Sequence, residues 1–75
     1  MSKTVVYNIL KELGGKDVPI QDIIARIREK YPGDKYMAER AGLKLYRLYR
    51  DRVLSRTLQK GFHGGFSYTI EMDYE

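Results

Sequence analysis

The chain has no cysteine, one histidine, and no apolar run long enough to cross a bilayer. Each absence closes off a class of answers. Without cysteine there is neither a disulfide framework nor a thiolate metal site, so the folding free energy must come from a single hydrophobic core. His63 has no second histidine and no thiol to help it hold a metal ion. A membrane helix needs about 20 consecutive apolar residues, and the opening MSKTVVYNILKEL breaks its hydrophobic pattern with charge too early for a secretory signal. The expectation is a soluble, intracellular, cytoplasmic or nucleoid-associated protein with no membrane contact. Its 75 residues make one domain, with modest stability to spare.

Catalytic motifs are equally scarce. Gly14, Gly15 and Lys16 lack the spacing and the hydroxyl residue of a phosphate-binding loop and read as a helix stop. Ser55 and Ser67 have no histidine in a nucleophile pattern, and Glu71, Asp73 and Glu75 form a tail rather than a cleft. The sequence implies no enzyme, no cofactor, no metal and no small-molecule substrate.

Positive charge is abundant, and it is concentrated in the middle of the chain. From Arg26 to Lys60 eleven Lys and Arg face four acids, a net +7, while the remainder carries −3. A compact basic body between less basic ends favours an anionic partner, nucleic acid first among them, although a plainly solvated surface would also account for a run of charge.

Hydrophobic spacing orders the elements. Val5, Val6, Ile9, Leu10 and Leu13 recur at three- and four-residue steps, the stripe of an amphipathic helix, and Gly14 and Gly15 end it. KDVPI reads as a short extended segment able to pair at a sheet edge. Helical spacing resumes over residues 21–30, with Ile20, Ile23, Ile24, Ile27 and Tyr31 as its stripe and no good cap at its start. Pro32 and Gly33 then break the chain, and Asp34 is placed to cap a third helix over residues 35–52. On a wheel, Met37, Ala41, Leu45, Leu48 and Tyr49 share one face of that helix, and Arg40, Leu43, Lys44, Arg47, Arg50 and Asp51 share the other. Beyond it, VLSRTLQ and FSYTIEM flank a Gly-rich turn. The second alternates, with Phe66, Tyr68, Ile70 and Met72 on one side, as a half-buried strand does.

The segments VVYNILKEL, VPIQDIIARIREKY, DKYMAERAGLKLYRLYRDR and VLSRTLQKGFHGGFSYTIE, in that order, resemble a winged helix-turn-helix domain of the small archaeal or archaeal-virus type. The resemblance covers nearly the whole chain and lies in architecture and patterning. It implies an α+β fold of order α-β-α-α-β-β, three helices plus a C-terminal β-hairpin wing, and a duplex-DNA-binding protein of the transcription-regulator kind. It implies a groove-facing side carrying Lys35, Tyr36, Arg40, Leu43, Lys44 and Arg47, with Arg56, Lys60 and His63 on the wing. The YPGDK connection is longer than the tight turn of the simplest members. The third helix is also long enough to outrun a groove and to leave Arg50 and Arg52 for other work.

The residue chemistry agrees with that implication without requiring it. Arg40, Lys44 and Arg47 sit at i, i+4 and i+7, so they form one positive row able to meet phosphates or guanine edges. Leu43, in the middle of the charged face, suits a thymine methyl group or a subunit contact. Tyr36, Tyr46 and Tyr49 fit the edge of the core, a stacking surface for bases, or a homodimer interface. A domain this small offers few base contacts, which suits a homodimer on a two-fold-related site. Three other readings use the same residues: a protein-interaction module docking through Leu43, Tyr46 and Tyr49, an RNA-binding module, and a non-specific chromatin-type protein.

Overall fold

A computed structural model describes residues 3–59 and 65–74. Within them the chain forms α1 (Lys3–Glu12), β1 (Val18–Pro19), α2 (Ile20–Lys30), α3 (Lys35–Glu39), α4 (Ala41–Arg50), β2 (Leu54–Leu58) and β3 (Phe66–Ile70). This is a small α+β domain of, among the described residues, four helices and a three-stranded antiparallel sheet of order β1-β3-β2, with α1, α2 and α4 packed on the sheet.

The local signals act as chemistry requires. Helix α1 ends where Gly14 and Gly15 take positive φ, and the Gly15 N–H donates to the Leu10 carbonyl at 3.0 Å while Gly14 donates to Lys11 at 3.1 Å. These paired bonds satisfy carbonyls that a helix end leaves open. Pro19 sits in β1, at the sheet edge, where its missing N–H costs no ladder bond. Asp34 caps α3, its side chain accepting from the Met37 N–H at 3.1 Å.

The core joins one stripe from each long helix to the inner face of the sheet. Val6, Ile9 and Leu10 of α1, Ile23 and Ile27 of α2, and Leu45 and Leu48 of α4 are sealed from solvent, with Val53, Leu54 and Tyr68 closing the sheet side. Central strand β3 pairs Tyr68 with Val18 of β1 and with Arg56 of β2, so Tyr68 sits in the middle of both ladders. The chain after β3 returns to α1, where the Tyr7 and Tyr74 rings lie 5.8 Å apart.

Three sequence expectations need correction. Residues 35–52 do not form one helix: the backbone turns at Arg40 (φ −94°, ψ 0°), separating α3 from α4. Helix α3 packs against α2, whereas α4 packs against α1 and β2, and a straight rod cannot serve both. Gly42, a poor helix former, lies just past the turn. Second, Tyr49 is not a core residue; it lies on the flank of α4 toward β2, with its ring against Arg56. Third, Met72 is exposed because β3 ends at Ile70.

Candidate nucleic-acid interface

Helix α4 divides its surface three ways. Ala41, Leu45 and Leu48 face the core. Arg40, at the turn, and Lys44 and Arg47 follow one flank at three- and four-residue steps. Tyr46 and Tyr49 follow the other flank, with ring centroids 6.5 Å apart. Leu43 and Arg50 form the crest between them, opposite the core.

The ion pairs decide which cations are available. Glu12 takes Lys30 at 2.9 Å and Arg26 at 3.8 Å, and Arg26 also reaches Glu29 at 3.3 Å. The hydrogen bond from Lys30 holds the Glu12 carboxyl below its usual range; slight desolvation opposes this, and the charges of Lys30 and Arg26 reinforce it. Asp51 is shared by Lys3 at 3.4 Å and Arg50 at 3.5 Å. Among the described residues, no carboxylate pairs with Lys35, Arg40, Lys44 or Arg47. The acids therefore neutralise the outer ends of α1, α2 and α4, and the Arg40 flank keeps its charge.

The expected site residues are only partly gathered. Tyr36, Arg40 and Lys44 line one open recess of about 390 Å³ with Asp34 and Met37. The Tyr36 ring is 69% exposed, and the Arg40 guanidinium lies 5.5 Å from its centroid. Arg47 continues the row one turn on, half-buried. Leu43, 47% exposed, stands on the crest as an apolar side chain that the core does not use. Lys35 turns elsewhere, into a recess between α2 and α3 with Arg28 and Glu39. Arg50 is exposed but engaged by Asp51. Lys60 and His63 lie outside the described residues.

Arg56 lies on the hairpin but turns inward. Its partner across the ladder is the buried Tyr68, so it projects from the inner face of the sheet. Its guanidinium lies 4.0 Å from the ring centroids of both Tyr49 and Phe66, and 5.8 Å from that of Tyr46. Burial raises the Tyr68 phenol above its ordinary value, and the charge and hydrogen bond of Arg56 act against that rise. Arg56 thus joins α4 to the β2–β3 hairpin. The sequence carried half of this signal, since Tyr46 and Tyr49 are three apart on a helix, but Arg56 and Phe66 meet them only through the strand register.

No protein-family model matches the chain, and neither a curated protein nor a solved structure matches it. Among the described residues no helix is long and apolar enough to cross a membrane, and no group of three metal-ligating side chains gathers.

Proposed function

We propose that the protein is a winged-helix domain that binds duplex DNA through α4 and the turn before it, acting as a homodimeric transcriptional regulator. The observation that carries this reading is the flank formed by Arg40, Lys44 and Arg47, three cations on one side of α4 that form no ion pair among the described residues. The element order and the terminal hairpin are compatible with it. The turn at Arg40 removes one difficulty, because α4 alone is about 15 Å long and fits a major groove that a rod of residues 35–52 would outrun. Arg40 and Lys44 then approach phosphates and guanine edges near the start of α4, Leu43 meets a thymine methyl group, and Arg47 neutralises a phosphate. Tyr36 extends the contact along α3, beside Arg40 and Lys44. The hairpin lies along the DNA backbone.

The test is selection from a random pool of duplex DNA, with sequencing of the retained fraction. A two-fold-symmetric motif is expected. Arg47→Ala weakens binding to every sequence, whereas Arg40→Ala alters which sequences are retained. Equal losses on all sequences for both variants would remove the division of labour. Failure to retain any duplex at low salt would favour docking of a protein on the exposed Leu43 crest.

A further inference from the structure

The flank of α4 opposite the cation row has no role in duplex binding. Tyr46 is 45% exposed and Tyr49 is 37% exposed, large aromatic surfaces on a helix whose core stripe is already filled by Ala41, Leu45 and Leu48. The two rings are not loose. Arg56 lies against Tyr49 and Phe66 at 4.0 Å and within 5.8 Å of Tyr46, so four side chains from α4, β2 and β3 form one fixed cluster with a cation at its centre. Glu71 lines a cleft beside Tyr49 with Arg50 and Arg52, and its carboxylate accepts from the Ser55 hydroxyl.

We infer that the Tyr46, Tyr49, Arg56 and Phe66 cluster is a stacking platform for an unpaired DNA base, next to the duplex-binding flank of α4. The inference rests on the DNA reading above and adds a second kind of contact to it. Three features select this occupant. The Tyr46 and Tyr49 rings are exposed and held, so a base stacks on them with little ordering cost. The cluster carries positive charge through Arg56, which has no carboxylate partner among the described residues; this suits the phosphates on either side of a stacked base and opposes a second copy of the same basic face. Finally, the platform and the Arg40 flank lie on either side of the Leu43 crest, so a strand leaving a duplex held by the cations crosses directly onto the rings. The protein therefore prefers duplexes that end in, or open into, a single strand.

The experiment compares the intact chain on a blunt duplex, on the same duplex with an overhang of about six nucleotides, and on a duplex carrying the RNA version of that overhang, by fluorescence anisotropy of labelled DNA. The overhang is expected to tighten binding by at least about fivefold, the lower end of what one stacked base contributes. Tyr46→Ala abolishes that gain and leaves blunt-duplex affinity within about twofold, since alanine is a good helix former at this exposed position. Tyr46→Phe keeps the gain. Blunt binding with no gain from the overhang overturns the platform and leaves the duplex reading intact. A gain that survives Tyr46→Ala overturns it as well. Tighter binding of the RNA overhang overturns the assignment to DNA. Overhang binding without any blunt-duplex binding upholds the platform and overturns the duplex reading, and no binding to any probe overturns both.

Discussion

Arg52 holds a backbone conformation that its side chain disfavours. It follows α4 with φ +65°, its N–H donates to the Tyr49 carbonyl at 3.0 Å, and the next N–H, from Val53, reaches back to Leu48 at 2.9 Å. This is the same helix stop that Gly14 and Gly15 make after α1, built here without glycine, and for that reason the end of α4 was harder to read from the sequence than the end of α1. A side chain in the left-handed region costs roughly 1 kcal/mol, part of which glycine would return as extra freedom of the unfolded chain. Arg52→Gly is therefore expected to stabilise the protein by about 0.5 kcal/mol, read as a higher urea midpoint at unchanged slope. Tyr68 makes a second test at this scale. Burial raises its phenol above the ordinary value, so the neutral form is the one the fold prefers. Its contribution is complete below about pH 10, where an unfolded tyrosine ionises, and is lost as pH rises through the higher folded value. Urea midpoints measured between pH 8 and pH 11 should fall more steeply for the wild type than for Tyr68→Phe; parallel curves would assign the alkaline loss to other groups.

The elements show what sequence periodicity reads well and what it misses. Stops and caps made by neighbouring residues were legible: Gly14 and Gly15 close α1, and Asp34 opens α3. The turn at Arg40 was not, because Met37, Ala41, Leu45 and Leu48 keep an unbroken three- and four-residue stripe across it. That stripe reports which side chains are buried, and it is blind to the fact that α3 leans on α2 while α4 leans chiefly on α1 and β2. Arg56 lies in the hairpin, as expected, but its inward direction is illegible in the sequence for a related reason. Alternation along β2 puts Leu54, Arg56 and Leu58 on the inner face, and a charge there makes sense only once Tyr49 and Phe66 are seen to receive it. Since β2 is an edge strand, an inward charge also discourages pairing with another chain. Stacking of a guanidinium on aromatic rings is worth about 0.5–1 kcal/mol when exposed and about 2 kcal/mol when desolvated. Arg56→Ala should destabilise the domain by about 1–2 kcal/mol, and Arg56→Lys should recover little of it, because an ammonium lacks the planar face. Hydrogen exchange should locate the loss at the junction of α4 with the hairpin. Uniform loss across the chain would deny Arg56 its joining role.

At the scale of the whole molecule, a net charge of +4 says little, and the distribution of pairing says more. Glu12 and Asp51 each engage two cations, Lys30 with Arg26 and Lys3 with Arg50. These exposed pairs contribute little to stability, but they decide where positive potential remains. Among the described residues it remains on the flank of Arg40, Lys44 and Arg47, at Lys35 beside α2, and singly at Lys11, Lys16, Arg28, Arg52 and Arg56; the flank is where three such cations follow one face of a helix. Each phosphate a cation neutralises on duplex DNA releases condensed counterions, so the logarithm of affinity falls with the logarithm of salt by about 0.9 per contact. Three contacts on the flank give a slope near −2.7 per chain, and Lys35 takes it to about −3.6 if it reaches the backbone. Arg47→Ala should reduce the magnitude of that slope by about 1. Arg26→Ala, which removes a cation already held by Glu12 and Glu29, should leave the slope unchanged. Titrations at four salt concentrations distinguish the two variants. Equal slopes for Arg47→Ala and Arg26→Ala would mean that DNA draws on the whole basic surface rather than on the flank that the ion pairs leave open.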